Sequence, residues 1–114
     1  MSLPPLRPLS TDVSVAGQLD ASAMAELARA GFKSVINNRP DHEGGPDQPT
    51  NASIQSAAIS AGLAYAYLPV DPAVQSADEV TQFRALVETL PKPIAAFCRT
   101  GTRCGKLFQA AQLA

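Results

Sequence analysis

Tryptophan is absent from these 114 residues, histidine occurs once, cysteine twice, and aromatic side chains make up only 5% of the chain. A core built from this inventory has to be aliphatic. The single histidine, His42, and the lack of any Cys/His cluster exclude the usual zinc sites, so neither a metal nor a cofactor is expected. Cys98 and Cys104 stand six positions apart in one motif, too close for a disulfide framework, and that usage suits a reducing cytoplasm. Charge of one sign is also lacking: nine Lys and Arg against ten Asp and Glu give a net charge of -1, with no block of like charges. The electrostatic footprint of a nucleic-acid or anionic-membrane binder is therefore missing. A small anionic substrate is compatible with this balance, because it needs only a local cluster of donors. No run approaches the ~20 apolar residues of a membrane span. The N-terminal Met-Ser-Leu-Pro-Pro-Leu-Arg-Pro-Leu has neither the unbroken apolar stretch nor the small-residue cleavage site of a secretory leader.

What is present reads as one ordinary globular domain, with 46% apolar and 17% charged residues. Residues 1–11, with Pro4, Pro5 and Pro8, read as an extended lead-in, and residues 12–114 as the domain itself. Residues 12–16 alternate polar with apolar, as a half-buried strand does. Asp20 stands at an N-cap ahead of a helix over 21–30, with Met24, Leu27 and Ala28 on its inner face and Gly31 as its stop. A second strand runs from Phe32 to Asn37. The polar stretch Asn38–Pro49 holds three prolines and two glycines and is a long loop, of a kind that often carries function. A helix over 51–61, closed by Gly62, leads to a strand over 63–70. Ser76 and Glu79 have the spacing of a capping box. They open a helix whose Val80, Phe83, Leu86, Val87 and Leu90 share one face, and Pro91 and Pro93 end it. Ile94–Phe97 is apolar throughout, as in a strand covered on both faces. A last helix runs from about Arg103 to Leu113, and its lack of a stop signal is that of a domain cut from a longer chain. Strands alternating with helices imply an α/β fold: a mostly parallel sheet of about four strands with helices on both faces.

The chemistry is concentrated in Phe97-Cys98-Arg99-Thr100-Gly101-Thr102-Arg103, between a buried strand and a helix. Open α/β sheets bind their ligands beyond the carboxyl ends of the strands, where this loop falls. Successive backbone amides over a helix N-terminus form an anion nest, to which the helix dipole adds positive charge. Gly101 permits the turn. Arg103 can fork onto two oxygens of an oxyanion, and Arg99, Thr100, Gly101 and Thr102 supply the loop that would hold it. A cysteine at the base of such a nest ionises below the usual ~8.5, within the ~3.5–7.5 range of activated thiols. A thiolate facing an oxyanion is equipped for covalent catalysis. The competing reading is an inert, buried strand-end cysteine.

Cys-Arg-Thr-Gly-Thr-Arg after an apolar strand resembles the loop of the cysteine-dependent phosphatases. The wider chain resembles the phosphatase-like domain of beta-lactamase hydrolase-like proteins. The matching segments are Ser34–Asp41, Gln48-Pro49, Tyr67–Val70 and the Cys98–Arg103 loop, spread over most of residues 12–114. The resemblance implies the cysteine-phosphatase fold and hydrolysis of phosphoesters through a cysteinyl-phosphate, with a small anionic substrate or a phosphorylated side chain as partner. It also implies that Asp71, in the turn after the third strand, protonates the leaving group; the alternative is an ordinary turn-former ahead of Pro72. Two features depart from the phosphatase pattern. Phe97 replaces the histidine before the nucleophile, and the arginine comes at +5 instead of +6. A six-residue loop is similar to that of the rhodaneses, so sulfur transfer through a Cys98 persulfide, with a fused or separate partner in sulfur metabolism, is the second enzymatic reading. A domain that binds anions without turnover is the third.

Arg39 and Asp41 leave the second strand at the same edge, placed to orient substrate, to pair with Arg103, or to form an ordinary loop salt bridge. His42 reads as solvated, with a site role as its alternative; Arg99 points outward or adds positive potential at the mouth; and Asp78 is a first-turn carboxylate suited to the helix dipole. Cys104 occupies the position of the phosphatases' Ser or Thr. It is a weak donor to the thiolate, a resolving partner for an oxidised Cys98, or a small helix residue packed inward.

Overall fold

The computed structural model describes residues 3–111. Its strands are β1 (Arg7–Pro8), β2 (Val13–Ala16), β3 (Ser34–Asn37), β4 (Ala64–Tyr67) and β5 (Ile94–Phe97). Its helices are α1 (Ala21–Arg29), α2 (Asn51–Ser60), α3 (Ala77–Thr89) and α4 (Thr102–Ala110). The alternation expected from the sequence is present with one addition. The proline-rich lead-in contributes β1, whose Arg7 and Pro8 pair antiparallel with Val15 and Ser14. The amides of Leu9 and Ser10 close that hairpin on the carbonyl of Val13. Pro8 has no N–H to offer a second neighbour, so it fits only an edge strand. The sheet therefore has five strands, in the order β1-β2-β5-β3-β4, and all neighbours except β1 and β2 run parallel. The ends of the expected elements lie within a few residues of those observed. Met1, Ser2 and the continuation of the last helix to Leu113 fall outside the described residues.

Local signals set the helix starts. An Asp20 carboxylate oxygen accepts from the amide of Ala23, and Ser76 with Glu79 forms both halves of a capping box. The strands divide their side chains between two layers. Val35, Ala95 and Phe97 pack with Met24 and Leu27 of α1 and Ile54 and Ala58 of α2. Val13, Val15, Ile36, Ile94 and Ala96 pack with Phe83 and Val87 of α3 and Leu107 and Phe108 of α4. Every residue of β5 is buried, because that strand is central and covered on both faces.

Register decides where the chemistry sits. Ala16, Phe97, Asn37 and Tyr67 are aligned across the four parallel strands. The segments that follow them, beginning at Gly17, Cys98, Asn38 and Leu68, leave the sheet along one carboxyl edge. Residues far apart in the chain are thereby brought together.

Candidate active site

The loop from Cys98 to Arg103 turns on Gly101, the N-cap of α4, at φ +91°. A Cβ there would be in ordinary contact with the Ala16 carbonyl at 3.4 Å, so it is the positive backbone angle that favours glycine. The turn aims the Gly101 amide at Cys98 Sγ, 3.1 Å away. The hydrogen bond from the Cys104 thiol is the strongest influence on Cys98. Burial opposes it, and the amides of Cys104, Thr100 and Gly101 reinforce it, leaving the Cys98 pKa at about 5. Burial pushes the Cys104 thiol well up, so its proton stays and can be donated. The same S–H can also be donated to Oδ1 of Asn38, 3.2 Å from Cys104 Sγ, so the two acceptors compete for one proton. At neutral pH Cys98 is a thiolate and Cys104 a thiol.

Arg103 is buried beside this loop. Its Nη1 donates to the carbonyls of Asn38 at 3.3 Å and Val70 at 3.1 Å. Its Nη2 donates to Glu43 Oε1 at 2.9 Å. Its Nε, also buried, has no partner among the described residues. The same Glu43 oxygen accepts from Arg39 Nε at 2.9 Å, and Arg39 Nη1 donates to Gln18 Oε1 at 3.0 Å. Arg39 thus reaches Arg103 through a shared carboxylate. Burial raises the Glu43 pKa, but the hydrogen bonds and charges of Arg103 and Arg39 outweigh it and hold the carboxyl below its ordinary value.

That bridge carries a stability prediction. Glu43→Gln keeps the size of the side chain but removes the carboxylate that two buried guanidinium groups share. It should destabilise the fold by about 1–3 kcal/mol at pH 7. Because the folded pKa of Glu43 is depressed, its contribution is present above the ordinary carboxylate range and is lost as pH falls through the folded value. The gap between variant and wild type in denaturant titrations should therefore shrink on acidification. Equal stability at pH 7 would show that the bridge contributes nothing.

Cys98 lies in a cleft of about 600 Å³ walled by Arg39, Glu43 and Arg103. Arg99, Thr100, Thr102, Lys106 and Pro72 complete the lining with Gly44. Of the residues singled out in the sequence, the cleft gathers Cys98, Arg103, Arg39, Arg99, Thr100 and Thr102, with Gly101 buried in the turn beneath. Asp41 is not among them: its Oδ1 accepts from the Asn51 amide at 2.7 Å and its own amide donates to the Tyr67 hydroxyl, which ties the loop to α2 and β4. Asp71 is exposed beside the cleft-lining Pro72, and its Oδ1 accepts from the Ala73 amide at 2.7 Å. His42 is exposed, at φ +69°. Glu43, Lys106 and Gln18 carry no mark in the sequence reading, and Asn38 enters it only as part of the family-like Ser34–Asp41 segment. Glu43 stands four residues after Arg39, a pairing distance where the chain is locally coiled, and Lys106 stands one helical turn after Arg103. Among the described residues no group of three His, Cys, Asp or Glu could hold a metal ion, and no helix is long and apolar enough to cross a membrane.

Known proteins resemble this chain in sequence and in fold. The family model for the phosphatase-like domain of beta-lactamase hydrolase-like protein matches residues 5–114. The chain is 38% identical over 97 residues to the beta-lactamase hydrolase-like protein of Agrobacterium fabrum and 34% identical over 96 residues to that of Xylella fastidiosa. Each match covers 84% of this chain but only 22% of the relative, so the chain spans under a quarter of the length of these curated relatives. A candidate phosphatase from Neisseria meningitidis superposes with a TM-score of 0.82 at 33% identity, over 90% of this chain and 72% of that one. At 18% identity, P. aeruginosa TpbA in complex with pTyr shares the fold with a TM-score of 0.66, over 90% of this chain and 58% of that one. With the α/β fold of the cysteine-dependent phosphatases and a family match along nearly its whole length, the chain belongs to the phosphatase-like domain family of beta-lactamase hydrolase-like proteins.

Proposed function

We propose that this domain hydrolyses phosphomonoesters through a cysteinyl-phosphate on Cys98. One observation carries the reading: the Cys98 sulfur accepts from a loop amide at a helix N-terminus, in surroundings that lower its pKa, beside a buried arginine that still has donors to give. Arg103 Nε–H is unpartnered among the described residues, and Nη2 has a second hydrogen beyond the one given to Glu43. Two donors of the guanidinium are therefore uncommitted: the Nη2 hydrogen can meet an oxyanion beside the Glu43 bridge, and Nε–H, shielded from solvent, can do so once the loop shifts. The Cys104 thiol supplies to Cys98 a hydrogen bond of the kind that the missing histidine would have supported. The Cys98 thiolate attacks phosphorus, the ester P–O bond breaks, and the departing oxygen takes a proton. Water then cleaves the S–P bond and releases inorganic phosphate. TpbA, with its bound phosphotyrosine, is a phosphoester-binding example of the same fold. The six-residue loop and the missing histidine are what favour sulfur transfer, and the family match and structural likenesses add nothing to it.

In this reading Asp71 gives the proton. Its Oδ1 is held by the Ala73 amide, which leaves Oδ2 to carry it. Asp71→Asn should lower phenyl phosphate hydrolysis by about 10²-fold. The loss should be smaller for p-nitrophenyl phosphate, whose leaving group departs more readily without a proton. An equal, small effect on both substrates would leave Asp71 as a turn-former. Absence of phosphate release dependent on Cys98 from any phosphomonoester would overturn the function itself.

A further inference from the structure

The mouth of the cleft differs in kind from its interior. Inside, the charges balance: Arg39 and Arg103 stand against the Glu43 carboxylate and the Cys98 thiolate. At the mouth Arg99 and Lys106 are exposed, and neither makes a salt bridge or side-chain hydrogen bond among the described residues. They are two cations without a counter-charge, one on each side of Arg103 in the chain. The oxyanion nest does not need them, since its donors are the loop amides and the Arg103 guanidinium. The rest of the lining is as informative. Thr100 and Thr102 are hydroxyl-bearing, and among the described residues that line the cleft Pro72 is the sole sizeable apolar side chain and none is aromatic. A phenol ring would find nothing to stack on there. A second dianion would find two free cations.

We propose that the substrate is a small aliphatic bisphosphate, with one phosphate in the Cys98–Arg103 loop and the second held at the mouth by Arg99 and Lys106. This rests on the phosphomonoester reading above and names the substrate class of that site. Binding separates the two claims, because it is measured without turnover. The Cys98→Ser domain is titrated calorimetrically with glycerol and hexose bisphosphates, with the matching monophosphates, and with phosphotyrosine. At least one bisphosphate should bind about tenfold more tightly than its monophosphate and than phosphotyrosine, the sum of two exposed charge contacts. That advantage should weaken as salt screens it. In the same background Arg99→Ala with Lys106→Ala should bring the ratio of bisphosphate to monophosphate affinity close to one. The proposal is overturned if no bisphosphate outbinds its monophosphate, if phosphotyrosine binds most tightly, or if the ratio survives in the double variant. Phosphate release by the wild-type domain, assayed separately, tests the underlying reading. Preferential binding without any hydrolysis would sink the phosphatase and keep the bisphosphate site, and hydrolysis without preference would do the reverse.

Discussion

Cys98→Ser should abolish phosphoester hydrolysis, with a loss of roughly 10⁴-fold or more, as expected when a covalent nucleophile is removed. The environment that brings the Cys98 pKa to about 5 stabilises an anion on sulfur. A serine hydroxyl begins from so high a pKa that the same three amides and one thiol donor cannot ionise it near neutrality. The ionised state of Cys98 is separately measurable. Its folded pKa is lowered, so the reactive thiolate is present above about pH 5 and disappears as pH falls through that value. Inactivation by iodoacetamide should follow that curve, with roughly nine-tenths thiolate at pH 6 against under 1% for a thiol of pKa ~8.5. Cys104, buried and held protonated, should escape labelling in the same peptide map. An inflection above pH 8 would restore the inert, buried cysteine and remove the mechanism.

Arg103→Lys should be nearly as damaging although the charge is kept. An oxyanion donor is typically worth 10²–10³-fold, and a lysine replaces two parallel donors with one point charge, so a loss of about 10³-fold is expected. The structure adds a second consequence. Arg103 also satisfies the Asn38 and Val70 carbonyls and the Glu43 carboxylate. One ammonium on a shorter stem cannot reach all three. Losing buried hydrogen bonds of this kind should cost about 1–3 kcal/mol in stability. Denaturant titration together with steady-state kinetics measures both effects. Near-normal turnover would remove Arg103 from oxyanion binding, and unchanged stability would mean that the carbonyls find other donors.

Much of this molecule is readable in its chain because the responsible interactions are local. Asp20, and Ser76 with Glu79, cap the helices they precede. The unbroken apolar run of β5 reports burial on both faces. The Cys98–Arg103 loop is likewise local: an amide three residues on reaches the sulfur, and the glycine that makes the turn lies between. Strand order, by contrast, has no local signature, and the two-residue β1 exists only because β2 offers it a partner.

The same division runs through the site. The Cys98–Arg103 loop and the alternation of strands and helices are written in spacings of a few residues. What surrounds that loop depends on how distant segments pack. Parallel register brings the ends of β3 and β5 to one edge, and there Glu43 meets an arginine 60 residues away. Asp41, two residues before Glu43, turns instead to the Asn51 amide at the start of α2. Two acidic residues of one loop look alike in a sequence. They part because only one of them stands within reach of two buried guanidinium groups that need a counter-charge.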